Sequence, residues 1–248
     1  MYQFFVEPCN ICGNDIYIEG SDYNHIKNVL RMRIGEELSV ITEGGDREYR
    51  CEIGNYEENR VHLILRFIKE DNVELPCKIY LFQGLPKADK MELIIQKAVE
   101  LGVYEIIPVK MSRSVVKYDS KKEENKVARF NGISEAAAKQ SKRRIIPRVT
   151  SVMTYKEALE YSKALDINLL PYELADMSGM DATRKLISSI EPGKSIGIFI
   201  GPEGGFDDKE IEAALQCKVH TITLGRRILR TETAGLTVLA WLVYNLEP

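Results

Sequence analysis

Residues 196–206 read Ile-Gly-Ile-Phe-Ile-Gly-Pro-Glu-Gly-Gly-Phe, an apolar run that ends in a glycine-rich turn. The pattern recurs further along the chain, where the strand-like run 219–223 leads into Leu224-Gly225 and a basic stretch. Open α/β sheets bind their ligands beyond the carboxyl ends of the strands, and glycine lets the main chain approach a ligand closely. The two turns therefore predict a pocket built mainly from backbone.

Strand-like and helix-like segments alternate from about residue 73 onward. An α/β fold with a parallel sheet covered by helices on both faces follows from this order. The helix 90–101 has one apolar face, and Asp207 with Glu210 resembles a capping box. The final helix, 234–246, contains no charged residue. Such a helix is either central to the core or packed against a second copy, and we favour a homodimer.

The first part of the chain has a different pattern, with short alternating or β-branched segments separated by tight turns. The strands that we predict are 3–6, 15–18, 37–42, 46–53 and 61–68. Gly44-Gly45 indicates a two-residue hairpin, and one helix begins at Asp22 with Ile26, Val29 and Leu30 on its apolar stripe. This pattern is typical of a small β-barrel. A linker near 71–76 predicts two domains, 1–72 and 73–248.

The composition of the 248 residues limits the class of protein. No apolar run is long enough to span a bilayer, and the N-terminus lacks the features of a signal peptide. The five cysteines are scattered and odd in number, which favours reduced thiols in the cytoplasm. Cys9 and Cys12 form one C-x-x-C, but no second pair follows at zinc spacing, so we expect no metal.

Charge is distributed unevenly along the chain. Residues 110–148 hold twelve Lys and Arg against four acidic residues, in a chain with a net charge of −3. Such an excess is either a solvated helix face or a surface for a polyanion. The run Lys142-Arg143-Arg144, with Arg148 nearby, contains no acid, and we favour nucleic acid as the partner. The first domain is acidic, although Arg31 and Arg33 could make local contacts.

Several common catalytic signatures are missing. The sequence contains no G-x-S-x-G elbow, no Walker A lysine motif and no early G-x-G-x-x-G. The three histidines are scattered, so each is better explained as a packed or surface residue. Each turn also has a simpler explanation without a ligand. The first glycine turn could be only a tight connection, and Arg226, Arg227 and Arg230 could form a solvated basic turn. Together the two turns form a more specific signal, and Thr231 or Thr233 is expected to cap the last helix.

The paired motifs at 201–206 and 229–234 resemble those of the SPOUT class of RNA methyltransferases, and more narrowly the RsmE family. Further similar stretches lie at 25–33, 96–102, 112–116 and 135–143, so the resemblance covers nearly the whole chain. Lys142 departs from it, because the family commonly has a small residue there. The resemblance implies an α/β fold: a PUA-like β-barrel, then a SPOUT domain with a parallel sheet and a C-terminal trefoil knot, acting as a homodimer.

The resemblance also implies an activity, the methylation of a uridine of 16S ribosomal RNA at ring N3 with S-adenosyl-L-methionine as cofactor, and an assembled small subunit as the substrate. The residues that it places at the cofactor are Leu170, Tyr172, Glu173, Gly201, Pro202, Glu203, Gly204, Gly205, Leu224, Gly225, Ile228, Leu229, Thr233 and Ala234. Those that it and the charge pattern place at the RNA are Arg31, Arg33, Arg113, Lys142, Arg143 and Arg144.

Arg230 and Glu232 are the candidate catalytic residues. The uridine nitrogen must lose a proton, and Arg230 could stabilise the anion that develops. Glu232 is a candidate for positioning or proton removal, and the alternative is a charge at a helix terminus. Two alternative functions remain: a non-catalytic RNA-binding protein on the same scaffold, and an NTP-using enzyme with an unusual phosphate loop.

Overall fold

The computed structural model describes residues 1–70, 73–87, 90–116, 120–172 and 179–247. The chain divides into two compact units. The first comprises residues 1–74 and 138–146, and the second comprises residues 75–137 and 147–248. The sequence predicts a single boundary after residue 72, and the return of the chain to the first unit at 138–146 is not part of that expectation.

The first unit is a curled, six-stranded and largely antiparallel sheet. Its strands are β1 (Gln3–Phe5), β2 (Ile11–Cys12), β3 (Asp15–Glu19), β4 (Glu37–Ile41), β5 (Glu48–Tyr56) and β6 (Arg60–Lys69). The strand order is β1-β4-β5-β6-β3-β2, and only the pairing of β1 with β4 is parallel. The five predicted strands are confirmed. Alternate side chains form the core, as period-two burial requires: Ile16, Ile18, Leu38, Val40, Cys51, Ile53, Val61 and Leu63.

Two local predictions in this unit are wrong. The connection from β4 to β5 spans residues 42–47, so Gly44-Gly45 lies in a longer loop than a two-residue hairpin. The predicted helix is a short α1 (Gly20–Asn24) that continues into a π-helical turn, His25–Val29. Asp22 lies inside α1 and not at its cap. The wider π-helical turn buries Ile26 but leaves Val29 63% exposed, which breaks the stripe predicted for a regular α-helix.

The second unit contains an all-parallel, seven-stranded sheet. Its strands are β7 (Lys78–Gly84), β8 (Glu105–Lys110), β9 (Arg148–Val149), β10 (Met153–Thr154), β11 (Ile167–Pro171), β12 (Ser195–Ile200) and β13 (His220–Ile222). The order is β10-β8-β7-β12-β11-β13, with β9 paired to β8. Strands β11, β12 and β13 are therefore neighbours, and the segment with Leu170 and Tyr172 and the two glycine turns lie at their carboxyl ends.

Helices follow most of these strands. They are α2 (Lys90–Glu100), α3 (Ser120–Ser141), α4 (Tyr155–Ser162), α5 (Gly179–Ser188), α6 (Asp208–Gln216) and α7 (Thr231–Leu246). Helices α4 and α6 share a buried cluster with Phe82 and Phe199. Helix α7 lies on the opposite face, where a Cβ on Gly235 would contact Leu81 and Ile200 at 3.5 and 3.4 Å. The predicted parallel sheet with both faces covered is confirmed.

Helices α2 and α6 have the buried face and the capping box that the sequence predicts. The five apolar residues predicted to line one face of α2 are all buried: Met91, Ile94, Ile95, Ala98 and Val99. The capping box of α6 is also confirmed, because Asp207 and Glu210 make its two reciprocal bonds. Within the described residues, no helix is long and apolar enough to cross a membrane. The trefoil knot stays a prediction.

Candidate active site

Three strands of the second unit end together at one edge of the sheet. Parallel register aligns Leu169 with Ile198, and Pro171 with Ile222. The alignment continues past β11, because the Tyr172 N–H donates to the Ile222 carbonyl at 2.9 Å. The segments that follow these strands are those in which the resemblance places the cofactor residues. In an open parallel sheet, ligands bind beyond the carboxyl ends of the strands, so a ligand is expected here.

The glycine turn 201–205 is packed against the end of β7. A Cβ added to Gly84 would lie 2.7 Å from the backbone nitrogen of Pro202, a distance that no ordinary side chain tolerates. Glycine at 84 therefore allows the two main chains to touch. Within the turn, the Gly205 N–H donates to the Pro202 carbonyl at 2.9 Å, and Gly205 has a φ of +69°. The turn is thus closed by its own backbone.

A short chain of hydrogen bonds fixes the start of α7 to the same turn. The Thr231 hydroxyl donates to the Gly201 carbonyl at 2.6 Å and accepts from Gln83 Nε2 at 2.9 Å. Gln83 is fully buried and also donates to the Gly84 carbonyl. We name these contacts the Gln83–Thr231–Gly201 clamp. Sequence reasoning did not identify Gln83, although a glutamine at the end of an apolar strand is a usable signal.

The predicted cap of α7 is wrong. Arg230 occupies the N-cap position, and no side chain makes a capping hydrogen bond. Thr231 lies in the first turn, where its hydroxyl is used by the clamp instead. The N–H groups of Thr233 and Ala234 both donate to the Arg230 carbonyl at 2.9 Å. The Arg230 side chain is exposed at the start of the helix, next to Thr231 and Glu232.

Two carboxylates meet one ammonium beside this helix start. Lys90 Nζ lies 3.0 Å from Glu203 Oε1 and 3.4 Å from Glu232 Oε2. The Lys87 N–H also donates to Glu203 at 3.0 Å. Burial raises the pKa of Glu203, but the bonds from Lys90 and from backbone N–H groups outweigh it, and the net pKa lies below the ordinary value. Glu203 is therefore an anion at neutral pH.

Arg113 reaches the glycine turn from the loop after β8. Its Nη1 donates to the Gly204 carbonyl at 2.9 Å. The loop is held in turn by Glu210, which accepts from the Ser112 N–H at 2.8 Å and is buried at the start of α6. Arg113 is exposed, so its guanidinium contacts the turn while remaining accessible to an RNA phosphate.

The other predicted cofactor residues differ in what they can offer a ligand. The Leu170 side chain is fully buried in the core, so only its main chain is available. The Ile228 side chain is 87% exposed. Tyr172, Leu224 and Leu229 are half-buried, and Glu173 lies outside the described residues. A Cβ on Gly205 or Gly225 would meet nothing within 4 Å, so the main chain there borders open space.

A separate hollow of about 290 Å³ lies beside the edge strand β13. It is lined by residues of α5, α6 and β13, among them Thr183 and Thr223. The Thr223 N–H donates to the Thr183 hydroxyl at 3.1 Å, so part of its polar lining is already paired. Across the described ranges, no group of three or more His, Cys, Asp and Glu side chains is placed to hold a metal ion.

The basic run 142–144 belongs to the first unit, and two of its side chains point inward. Arg143 is 4% exposed and donates through Nε and Nη2 to Glu74 at 2.9 and 2.6 Å. Arg144 is also 4% exposed and lies 3.9 Å from Glu48. Lys142 donates to the Met1 carbonyl, and burial lowers the pKa of its amine. Arg143 and Arg144 therefore bind acids of their own unit, and a phosphate cannot reach them without rearrangement.

Arg31 and Arg33 are exposed in the first unit, directly after the π-helical turn. Arg31 has a φ of +53°, a left-handed conformation that is uncommon for a non-glycine residue. The Arg33 N–H donates to the Glu36 carboxylate at 3.1 Å, which leaves its guanidinium outside that contact. Of the predicted RNA-binding residues, these two and Arg113 have accessible side chains.

Comparisons with known proteins agree on one family. An RNA methyltransferase domain matches residues 73–243, and an RNA methyltransferase PUA domain matches residues 18–66. The chain is 38% identical to ribosomal RNA small subunit methyltransferase E of Bacillus subtilis, covering 93% of this chain and 90% of that protein. It is 35% identical to the enzyme of that name from Mesomycoplasma hyopneumoniae, over 96% and 97% of the two chains.

Solved structures give the same result. A crystal structure of a hypothetical protein is 36% identical, with a TM-score of 0.91 over 99% of this chain and 98% of that one. Ribosomal RNA small subunit methyltransferase E of Neisseria gonorrhoeae, bound to S-adenosylmethionine, is 29% identical, with a TM-score of 0.81 over 98% and 97%. The chain therefore belongs to the RsmE family of S-adenosylmethionine-dependent RNA methyltransferases.

Proposed function

We propose that this protein methylates ring N3 of a uridine in 16S ribosomal RNA, within the assembled small subunit in the cytoplasm. The observation that carries the proposal is the meeting of three strand ends beside the first turn of α7. The strand ends offer bare main chain around the turn 201–205, and α7 brings Arg230 and Glu232 to the same place. The relatives' name, ribosomal RNA small subunit methyltransferase E, supports the small ribosomal subunit as the source of the RNA.

The residues present fit S-adenosylmethionine as the methyl donor. The main chain at Gly205 and Gly225 borders open space, so backbone N–H and carbonyl groups can reach a ligand there. Tyr172 and Leu229 are half-buried, as residues lining a hollow are expected to be. When bound, the cofactor supplies an already activated methyl group, so the protein needs to provide position and electrostatics.

Arg230 is proposed to stabilise the negative charge that develops on the uridine when N3 loses its proton. A guanidinium stays protonated at any working pH. It can therefore donate to a carbonyl beside N3 as the charge spreads to that oxygen, a contribution of about 3 kcal/mol when well placed. The Gln83–Thr231–Gly201 clamp fixes the backbone from which Arg230 projects. Glu232 is proposed to position the base or to accept the proton.

RNA contacts are proposed for the exposed basic residues. Arg31, Arg33 and Arg113 are accessible, and Lys142 is half-buried. Contacts of this kind with phosphates position the strand but do not read its sequence. Arg143 and Arg144 are proposed to support the first unit instead, because their guanidiniums are already bound to acids.

A homodimer is proposed as the active form. Helix α7 buries one face, with Val238, Leu239 and Leu242 fully covered, yet Tyr244 is 92% exposed on the same helix. This exposed aromatic side chain lies on a helix that has no charge from 234 to 246, and a second copy is the partner that we propose for it. Sedimentation of the purified protein at several concentrations checks this directly, since a monomer at all of them would contradict it.

The experiment that tests the proposed function is a methylation assay with nucleoside analysis. Purified protein is incubated with labelled S-adenosylmethionine and with small subunits that lack the modification, and the RNA is then digested. We expect labelled 3-methyluridine from subunits and little from free RNA. Another methylated nucleoside would contradict the N3 assignment, and binding of RNA without any transfer would indicate a non-catalytic protein.

A further inference from the structure

We propose that Lys90 is a positioning residue of this enzyme, which holds the Glu232 carboxylate at the start of α7 by sharing one ammonium between Glu232 and Glu203. The inference rests on the proposed function, because it concerns the geometry of the transfer site. The three side chains come from three separate elements: the first turn of α2, the glycine turn and the first turn of α7. Their meeting is therefore a tertiary feature.

The contacts differ from those of an ordinary surface ion pair. The side chains of Lys90, Glu203 and Glu232 are 29%, 28% and 16% exposed. Glu232 Oε2 is buried, and it forms an ion pair with Lys90 Nζ at 3.4 Å. A buried carboxylate oxygen requires a compensating positive charge, and Lys90 supplies it.

The ammonium also separates two acids. Glu203 and Glu232 both approach Lys90 Nζ, so removal of this charge would leave two carboxylates near each other with one cation fewer. At such a short separation, each carboxylate disfavours the ionised form of the other. Arg230, which is exposed, is a further charged group at this helix start. We therefore expect Glu232 to leave its position when Lys90 is neutral, while the main-chain pocket for the cofactor persists.

The ionisation of the pair supports this arrangement. The hydrogen bond to Glu203 raises the pKa of Lys90 above its ordinary value. The net pKa of Glu203 is lowered, as described above. Both groups are therefore charged throughout the neutral range, and the ion pair persists there.

The test compares Lys90→Met, Lys90→Arg and a matched control, Lys97→Met, in the full-length protein. Lys97 lies on the same helix and pairs with Glu100 at 2.8 Å, away from the turn. We expect Lys90→Met to lower kcat at least about tenfold while the KM for S-adenosylmethionine changes less than about threefold, the signature of a group that acts after binding. Lys90→Arg should restore most of kcat, and Lys97→Met should resemble wild type.

A second readout does not depend on turnover. Carbon-13 NMR of glutamate carboxyls follows the titration of Glu203 in the cofactor-free protein, with Glu203→Gln to assign the signal. Lys90→Met should raise the midpoint, because the hydrogen bond and the charge of Lys90 both lower the pKa of Glu203, and Lys97→Met should leave it in place. An unmoved midpoint, or an undiminished kcat in Lys90→Met, overturns the role of Lys90. A wild-type protein that forms no 3-methyluridine overturns the proposed function instead.

Discussion

Replacing Thr231 with valine tests whether the clamp holds the site together. Valine keeps the shape of threonine but loses both hydrogen bonds of the hydroxyl, the one to the Gly201 carbonyl at 2.6 Å and the one from Gln83 Nε2 at 2.9 Å. Gln83 is fully buried, so no water replaces the lost partner of its amide. A buried polar group that loses its partner costs about 1–3 kcal/mol.

The expected total is about 2–3 kcal/mol, because Gln83 keeps its bond to the Gly84 carbonyl and the half-buried Gly201 carbonyl can be partly hydrated. For a chain of this size each kcal/mol lowers Tm by about 2–4 °C, so we expect a fall of about 4–12 °C. Calorimetric melting of the apo protein measures it, and a titration with S-adenosylmethionine should show weaker binding.

Two controls separate the clamp from helix propensity. Thr231→Ser keeps the hydroxyl and loses one methyl group, so it should cost about 1 kcal/mol. Thr237→Val makes the same change in the same helix at an exposed bond to the Thr233 carbonyl, and it should stay within about 0.5 kcal/mol of wild type. Equal Tm values for Thr231→Val and Thr237→Val would show that the clamp does not stabilise the fold.

Other variants test separate parts of the account. Arg230→Ala should lower kcat about a hundredfold or more, with a small change in cofactor affinity by calorimetry; equal losses in both would make it a binding residue. Arg143→Ala should destabilise the protein by about 3–5 kcal/mol in urea unfolding, because it leaves the Glu74 carboxylate without its main partner. Arg31→Ala should leave stability unchanged, and it should reduce the slope of log affinity for RNA against log salt concentration by about one. If Arg143→Ala instead reduced this slope and left stability unchanged, Arg143 would belong to the RNA surface. Because the folded-state pKa of Glu203 is lowered, its ionisation stabilises the fold above about pH 4.3 and less as pH falls. The stability difference between wild type and Glu203→Gln should therefore shrink between pH 6 and pH 3, and a difference that grows toward acid would contradict the ion pair.

Periodicity predicted the parts of the fold that depend on local pattern. The alternation of apolar residues placed the strands of the first unit, and the spacing of Met91, Ile94 and Ile95 placed the buried face of α2. Element ends were less predictable. The sequence around 133–140 predicts a helix, whereas α3 extends over Ser120–Ser141; its earlier part is polar, so its pattern is weak.

The basic segment 110–148 shows why charge counts overstate an RNA surface. Several of its cations are paired with acids that lie far away in sequence: Arg129 with Glu92, Lys139 with Asp22, Arg143 with Glu74 and Arg144 with Glu48. A linear count cannot include these partners, since only folding brings them near. The exposed positive charge is consequently smaller than the sequence indicates.

The strand ends and glycine turns of the candidate site were predictable from the sequence, but the contacts that support them were not. Glycine turns at strand ends indicated where the main chain is bare. Thr231 accepts from Gln83 of β7, and Glu232 pairs with Lys90 of α2; both partners lie more than a hundred residues earlier, and no local pattern relates them. Thr231 was expected to cap a helix because a cap can be predicted from neighbouring residues. Its hydroxyl instead bonds to Gln83 and Gly201, which the local sequence does not indicate.

The most direct test of the central claim is a crystal structure of the protein grown with S-adenosylmethionine. We expect density for the cofactor at the common edge of β11, β12 and β13, with hydrogen bonds to main-chain groups of 201–205 and 224–230 and the methyl group facing Arg230. Density in the hollow beside β13, between α5 and α6, or an edge closed by side chains with no cofactor bound, would contradict the account.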